Sequence, residues 1–286
     1  MINYFNQINY ENYVYSLDNI RLTVRWNLPD AQHFMNWLSA FEMEFEDKDY
    51  RHFMSSRLFT YRHMFTLGMG ESSITVGVDF LNAAKSDSII GFVEFNPNKV
   101  CKDFRFIKFN NKLRETCKEM LCSRWDFAVD IPVSRDYMRL DKDNRNYETC
   151  KTQLGFTEYL GVRNKDGRVK LYDKTRESGL DYDLTRLEVT IEGLKLYDEV
   201  NWPRVLGIVT QLDFKSNVEL SKTDLVLFRL LLQCDNLMDE FKQLGRDKQK
   251  KLKPYLFGDK QAFEVSRHCY SSILQQVKDY EIRLIK

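Results

Sequence analysis

The stretch 124-RWDFAVDI-131 alternates between polar and apolar residues. Successive side chains of a β-strand point to opposite sides, so this alternation predicts a strand with one buried face and one exposed face. The stretch 185-TRLEVTIE-192 repeats the pattern and predicts a second strand of the same kind. The apolar residues of the two strands are assigned to a common core: Trp125, Phe127 and Val129 from the first, and Leu187, Val189 and Ile191 from the second.

Two neighbouring segments extend this sheet. Residues 91–96 (GFVEFN) predict a strand that ends at Pro97, because proline cannot donate to a strand ladder. Residues 157–163 and 168–174 predict a hairpin. The Asp166-Gly167 pair in the turn between them favours backbone with positive φ, which is a strong hairpin signal.

Helices are predicted between these strands and after them in the sequence. Residues 110–123 are interpreted as a helix, and the charged stretch 139–154 as a surface excursion. After about residue 195 the pattern becomes helical, with a strongly apolar helix over 222–241, a basic run over 242–253 and a closing helix over 261–283. The period of the apolar residues changes there from that of a strand to that of a helix.

The predicted fold class is therefore α+β, an antiparallel β-sheet core with packed helices and a smaller helical C-terminal region. We expect two domains: residues 1–195 form a catalytic sheet domain, and residues 196–286 form a helical region.

Composition limits the classes of protein to which the chain can belong. The 286 residues carry a formal net charge of only +1, so a contact with a polyanion must come from local clusters of positive charge. The six cysteines contain no CxxC pair, which disfavours a zinc site or a disulfide framework. No secretory leader and no run of apolar residues long enough to span a membrane is evident, so we expect a cytoplasmic protein without a membrane partner.

The polar faces of the predicted strands bring ionisable groups together. Carboxylates in such a cluster suit a hard divalent cation, Mg²⁺ or Mn²⁺. A tyrosine beside that cation can act as an oxygen nucleophile on a phosphate that arginine and lysine hold. The same pattern also fits plain cross-strand ion pairs on a solvated sheet, and both interpretations stay open here. The residues concerned are Glu94, Asp126, Asp130, Glu188, Tyr172, Arg124, Arg186 and Lys174.

Four ordered motifs resemble those of one known family. VEFNPNK (93–99), SRWDFAVD (123–130), TEYLGVRNKDGRVKLYDKTRES (157–178) and TRLEVTIE (185–192) are similar to the successive motifs of the replication-initiation-factor (Rep_trans) family. That family comprises rolling-circle initiators of plasmids and phages, together with relaxases of some integrative conjugative elements. The resemblance covers roughly residues 90–195 strongly and the region 230–253 more weakly.

The resemblance implies a role for each matching residue. Tyr172 corresponds to the nucleophile, which attacks a phosphodiester at the replication origin, forms a 5′-phosphotyrosyl link and releases a 3′-OH. The metal ligands it implies are Asp126, Glu188 and Glu94, with Asp130 as a fourth ligand or a supporting residue. The residues expected to hold DNA phosphates or the transition state are Arg163, Lys174, Arg124 and Arg186. Phage members commonly have Gly-Ser-Arg in the hairpin motif, whereas this chain has Val162 between Gly161 and Arg163.

The resemblance also implies partners. The helical end would help to recognise double-stranded origin DNA through Lys248, Lys250, Lys251 and Lys253, although such a run is equally typical of a solvated helix face. Single-stranded DNA at the nick, a second copy of the chain in a homodimer and a host helicase are the other expected partners.

Other classes of function are distinguished by their residues. HUH nickases bind their metal through a His-hydrophobe-His strand, and none of the four histidines here has that spacing. A tyrosine recombinase requires an Arg, His and Arg set that is not evident, and a two-metal nuclease would leave no covalent adduct. A conjugative relaxase shares the chemistry of the initiators, and a non-catalytic origin-binding protein remains the alternative without chemistry.

Overall fold

A computed structural model describes residues 7–10, 12–54, 61–80, 88–153, 155–207, 220–234, 237–256 and 261–283. Within them, one large sheet forms the centre of the molecule. Its strands, in chain order, are β1 (Gln7–Tyr10), β2 (Tyr13–Trp26), β3 (Tyr50–Met54), β4 (Tyr61–Met69), β5 (Ser72–Phe80), β6 (Ile89–Phe95), β7 (Glu119–Ile131), β9 (Tyr147–Thr152), β10 (Gly155–Leu160), β11 (Val169–Asp173) and β12 (Thr185–Glu192). A smaller sheet contains β8 (Met138–Leu140), β13 (Val205–Gly207) and β14 (Gln261–Phe263).

The large sheet runs in the order β3-β4-β5-β6-β2-β7-β12-β11-β10-β9, and β1 pairs with β2. Every pairing described in the two sheets is antiparallel. The long strands β2 and β7 lie side by side at the middle, so strands that are far apart in the chain meet there. The predicted α+β class with an antiparallel sheet core is confirmed.

The structure also contains helices. Their bounds are α1 (Leu28–Phe41), α2 (Pro97–Val100), α3 (Phe104–Thr116), α4 (Lys174–Ser178), α5 (Lys222–Leu232), α6 (Leu237–Gln243), α7 (Arg246–Leu256) and α8 (Arg267–Tyr280). Apolar residues of α1, α3 and α8 join the strands in one core, which includes Trp125, Phe127 and Val129 as predicted. No helix of the described residues is long and apolar enough to cross a membrane.

The apolar clusters do not divide the chain at residue 195. The division into two domains at that residue stays a prediction. Helix α8 packs on β2 and β7 inside the main core. A second cluster contains only residues of α5, α6 and α7, among them Phe228, Leu237 and Leu252. Buried apolar residues within 222–256 thus form a cluster of their own.

Three helix and loop predictions differ from the structure. The predicted helix 110–123 is wrong in its second half, because α3 ends at Thr116 and β7 begins at Glu119. The stretch 139–154, interpreted as a surface excursion, contains most of β8 and all of β9, a strand that the sequence analysis did not assign. The apolar helix predicted over 222–241 is two helices, α5 and α6.

The β10–β11 hairpin is formed as the sequence predicts. Tyr159 lies opposite Lys170 and Leu160 opposite Val169. Gly167 has φ +72°, the left-handed conformation that glycine adopts without steric cost. Its N–H donates to the carbonyl of Thr190 at 2.9 Å, so the turn is tied to the end of β12.

A buried ion pair fixes the hairpin from the core side. Arg135 donates to the Glu158 carboxylate at 2.5 Å and to the carbonyl of Leu171 at 3.3 Å. Tyr147 also donates to Glu158, at 2.5 Å. Because a buried charge is tolerated only when it is paired and hydrogen-bonded, this network holds β9, β10 and β11 in a fixed relation. Leu171 directly precedes Tyr172, so the network supports the strand that positions that tyrosine.

Candidate active site

The strand register places the predicted polar residues on a single face of the sheet. Tyr172 lies opposite Arg186, and Arg186 lies opposite Asp130. In the neighbouring row Lys170 lies opposite Glu188, and residues opposite each other on antiparallel strands point to the same side. This surface, the polar patch, consists of Asp18, Arg21, Glu94, Arg124, Asp126, Asp130, Lys170, Tyr172, Arg186 and Glu188.

Tyr172 is in contact with one of the predicted carboxylates. Its hydroxyl donates to Glu188 Oε1 at 2.7 Å. The residue is 5% exposed, yet it lies on the polar patch and is not a member of either apolar cluster. The ammonium of Lys170 lies 3.8 Å from the ring centroid and that of Lys174 lies 5.9 Å from it. The tyrosine is thus covered by charged side chains and not by the core.

The electrostatics around Tyr172 keep its proton in place. Removal from water and the negative charge of Glu188 both raise the pKa of the Tyr172 phenol above its ordinary value. Removal from water also raises the pKa of Glu188, to about 7, and the nearby Asp18 adds to that shift. Positive charge introduced beside these oxygens would lower both pKa values.

Asp126 is the second carboxylate of the patch without an arginine partner. It accepts a hydrogen bond from the hydroxyl of Thr190 at 2.7 Å and forms no ion pair with any described residue. Removal from water raises its pKa, and the charges of Asp18 and Glu94 contribute in the same direction. Asp126 has no ion-pair partner among the described residues and Glu188 has Lys170 at 3.5 Å, so neither carboxylate is neutralised by an arginine.

Asp18 belongs to this group and was missed by the sequence analysis. The register of β2 against β7 shifts between Leu17 and Asn19, so Asp18 is the extra residue of a β-bulge. It accepts from Arg186 at 3.0 Å and from Asn96 at 3.2 Å. The signal was present in the sequence, because two consecutive polar residues, Asp18 and Asn19, interrupt the alternation of β2.

Glu94 and Asp130 have a different environment. Glu94 accepts from Arg21 and from Arg124, each at 2.8 Å. Arg186 grips Asp130 with two nitrogens, at 2.5 and 2.7 Å. Glu94 and Asp130 therefore form cross-strand ion pairs, which was the alternative interpretation of the pattern. Two of the three arginines predicted to hold DNA phosphates or the transition state, Arg124 and Arg186, are bound to carboxylates here.

The four predicted metal ligands thus divide into two pairs. Within the described part of the chain, no three or more His, Cys, Asp or Glu side chains are grouped so that they could hold a metal ion. Mg²⁺ seldom uses such a cage, since it is usually bound by one or two carboxylates together with water and substrate phosphates. Asp126 and Glu188 fit that requirement in chemistry and in charge, whereas Glu94 and Asp130 are already neutralised by arginine.

A cleft of about 550 Å³ opens beside the polar patch. Glu188 lines it, so the cleft reaches the residue to which Tyr172 is hydrogen-bonded. The other residues that matter for its chemistry are Asp126 of the patch, Arg163 of the β10–β11 turn, and Cys150, Tyr159 and Arg168 of the outer part of the sheet. The cleft is large enough for part of a nucleotide strand, and its lining combines carboxylates, cations and an aromatic ring.

The remaining predicted DNA contacts lie farther out. Arg163 is exposed on the hairpin turn. Lys174 is the first residue of α4 and pairs with Glu177. On α7, Lys248 pairs with Asp224 and Lys251 lies 3.8 Å from the same carboxylate. Lys250 and Lys253 are exposed on that helix. The structure does not bring the α7 lysines into the cleft lining, and their contact with DNA stays a prediction.

Comparison with known proteins finds similarity to solved structures. No model of a known protein family matches the chain, and no curated protein matches it. The solved structure of a rolling-circle replication initiator protein from Geobacillus stearothermophilus is similar at 13% identity and a TM-score of 0.36, over 95% of this chain and 98% of that one. A TM-score this low does not establish a common fold. The function must therefore be argued from the motifs and the site.

Proposed function

We propose that the chain nicks and rejoins one strand of DNA through Tyr172 and so initiates rolling-circle replication. The observation on which this depends is the hydrogen bond of 2.7 Å from the Tyr172 hydroxyl to Glu188, on a face that also contains Asp126 and opens into a cleft. A phenol beside carboxylates that no arginine neutralises suits attack on a phosphodiester, because a divalent cation attracted by those carboxylates also polarises the phosphate.

In the proposed reaction the Tyr172 oxygen forms a bond to phosphorus, and the bond from phosphorus to the 3′-oxygen breaks. The products are a 5′-phosphotyrosyl link and a free 3′-OH, so the energy of the phosphodiester is retained for rejoining. The phenolic proton leaves Tyr172 and a proton is gained by the departing 3′-oxygen. In the structure, the acceptor of the phenolic hydrogen bond is Glu188 Oε1.

The proposed cofactor is Mg²⁺ or Mn²⁺, with Asp126 and Glu188 as the residues that hold it. When bound, such a cation stabilises the charge that develops on the phosphate oxygens. Glu94 and Asp130 are then assigned to orienting Arg124 and Arg186 rather than to the metal, since each accepts arginine hydrogen bonds of 2.8 Å or less. Arg163 and Lys174 remain proposed contacts to DNA phosphates.

The test is the formation of a covalent adduct. Supercoiled plasmid containing the DNA that flanks the coding region is incubated with the protein and Mn²⁺ or Mg²⁺, and relaxation and adduct are measured on denaturing gels. Wild type should give both, Tyr172→Phe should give neither, and Tyr182→Phe should behave as wild type because Tyr182 is 55% exposed and outside the polar patch. Normal nicking by Tyr172→Phe would remove the proposed nucleophile.

The same chemistry serves a relaxase of an integrative conjugative element, and the neighbouring DNA separates the two: an inverted repeat near the coding region indicates a hairpin origin. We propose a homodimer on origin DNA, with a host helicase as a further partner in the cytoplasm. Light scattering that detects only monomer at working concentrations would contradict the dimer. A protein that binds the flanking DNA tightly and never nicks it would be the non-catalytic alternative.

A further inference from the structure

The wall of the cleft contains a stacked pair that the proposed chemistry does not use. The guanidinium of Arg168 lies over the ring of Tyr159, 4.4 Å from the ring centroid. Arg168 is held in that position by a hydrogen bond to the carbonyl of Gly161 and by Glu148 at 3.5 Å. A guanidinium is planar, so an arginine held over an aromatic ring is a preformed planar surface whose orientation does not have to be ordered when a ligand binds.

This planar surface is accessible from the cleft. Both Tyr159 and Arg168 line the cleft, and both are only half-buried. Among the residues whose structure is described, the guanidinium of Arg168 is the one group in ring contact with Tyr159. Unpaired nucleobases stack on aromatic rings and on guanidinium planes, and this binding is tolerant of sequence because every base has a π-face.

We infer that Tyr159 and Arg168 form a stacking platform for an unpaired nucleobase of the DNA strand that Tyr172 cleaves. The inference rests on the proposed function for the identity of that strand. Tyr172 lies opposite Thr157, and Tyr159 is two residues farther along the same strand and on the same face. The Cα atoms of diagonal neighbours of this kind are about 7–8 Å apart, so Tyr159 and Tyr172 are close enough for one DNA strand to contact both.

The charges around the platform match a strand whose backbone continues past it. Arg163, exposed on the hairpin turn, and Lys170, beside Tyr172, both line the cleft. Lys170 lies directly opposite Tyr159, and Arg163 lies beyond the end of β10. Cations beside an aromatic surface are the arrangement by which single strands are held without reading their sequence. A base pair inside a duplex offers no free π-face at this position, so the platform should distinguish single strands from duplex.

Binding of oligonucleotides tests the platform without any nicking. The probe is a short oligo(dT) with one 2-aminopurine, whose fluorescence falls when it stacks. We expect Tyr159→Ala to weaken binding by about 5- to 150-fold, the range for loss of one base–aromatic stack, and Tyr159→Phe to bind within about twofold of wild type. Arg168→Lys keeps the charge but loses the plane and should also weaken binding. Tyr137→Ala, which removes a 40% exposed tyrosine outside the cleft, is the control.

A free cysteine in the cleft reports the position of the base. Cys150 is exposed and lines the cleft, in the same cross-strand row as Tyr172. An oligo(dT) with an activated disulfide tethered to one base should exchange with a cysteine of the cleft, releasing its leaving thiol and forming a protein–DNA disulfide. This should occur with wild type and with Cys234→Ser, whose cysteine is exposed beyond the end of α5, but not with Cys150→Ser. Equal crosslinking by Cys150→Ser would place the base outside the cleft and overturn the inference.

The two proposals fail separately. Unchanged single-strand binding by both Tyr159→Ala and Arg168→Lys would refute the platform, whether or not Tyr172 forms an adduct. A protein that loses oligo(dT) binding in these variants, yet never forms an adduct, would keep the platform and refute the nickase. Equal losses for a duplex of the same length would also refute the platform, because the effect would then be one of charge or folding.

Discussion

The polar patch contains two pairs of carboxylates that the same sheet treats in opposite ways. Glu94 and Asp130 accept hydrogen bonds from arginines at 2.5–2.8 Å. Asp126 accepts a hydrogen bond from Thr190 at 2.7 Å. Glu188 accepts one from Tyr172 at 2.7 Å and has Lys170 at 3.5 Å. Removal from water raises the pKa of both carboxyl groups. Arginines neutralise the first pair of carboxylates in the folded chain. The second pair has no arginine partner, so a ligand can supply the positive charge. A site built for a ligand is expected to cost stability in this way.

The largest effect should be on nicking. Replacing Asp126 by Asn should lower the rate of adduct formation by about 100-fold or more, because a metal contributes several kcal/mol to charge stabilisation and each 1.4 kcal/mol is a factor of ten. Glu188→Gln should do the same, while Glu94→Gln should lose less than about tenfold. Single-turnover nicking at saturating Mn²⁺ measures all three. A larger loss in Glu94→Gln than in Asp126→Asn would reverse the assignment of the two pairs.

Stability against pH gives the second test. The pKa of Glu188 is raised from 4.5 to about 7, so the folded state holds more protons than the unfolded state between those values. The free energy of unfolding contributed by Glu188 is therefore fully present below about pH 4.5 and is lost as the pH rises to about 7. Glu188→Gln should consequently be more stable than wild type at pH 8, by up to about 3 kcal/mol, and should lose this advantage near pH 4.

Urea unfolding in metal-free buffer measures that difference. Glu115→Gln, at a side chain that is 66% exposed, is the matched control and should leave the pH profile of wild type unchanged. Saturating Mg²⁺ should restore part of the stability of wild type at pH 8 and none in Glu188→Gln, since a cation that binds only the folded state stabilises it. A wild type that is as stable as Glu188→Gln across the whole pH range would show that the charge of Glu188 does not destabilise the folded state.

Asp130→Asn should destabilise the protein by about 2 kcal/mol, because it leaves Arg186 with only part of its hydrogen-bonded charge partners. Arg186 is 8% exposed, and its remaining carboxylate partner is Asp18 at 3.0 Å. Urea unfolding at pH 7 measures the loss. Asp130→Asn should lower the free energy of unfolding, whereas Glu188→Gln should raise it at pH 8. A change of the same sign in both variants would contradict the distinction between the two pairs of carboxylates.

The smallest expected effect is that of Glu94→Gln on stability, about 1 kcal/mol or less. Its two arginine partners retain access to water, with side-chain exposures of 29% for Arg21 and 16% for Arg124, and pairs near the surface contribute little. A thermal melt that shows a shift of many degrees would indicate that Glu94 is a structural member of the core of the site.

Most of the site could be predicted because alternation along a strand is local. The assignment of Asp126, Asp130, Arg186 and Glu188 to one face needed only the period of two, and the register confirms it. Partners could not be predicted, since which carboxylate meets which arginine depends on the order of strands. Asp18 was missed for a related reason: a bulge shifts the alternation, and β2 meets β7 only in the folded sheet.

The wrong predictions of secondary structure have physical causes as well. Residues 119–123 continue the alternation of β7, with Met120 and Cys122 buried, but they follow directly on a helical segment. Strand β9 is mostly exposed at the outer side of the sheet, so its sequence lacks the apolar face that identifies a strand. The helix over 222–241 is interrupted after Leu232, which the apolar pattern alone did not reveal.

The place of α8 has a consequence for synthesis of the protein. Tyr270 of this helix contacts Trp125 and Phe127 of β7, with ring centroids 5.7 and 5.5 Å apart. A nascent chain that has left the ribosome only as far as β12 would therefore present these aromatic rings to water. We expect it to stay bound to chaperones, and a fragment comprising residues 1–195 to aggregate, so that the sheet folds stably only after the helix has been translated.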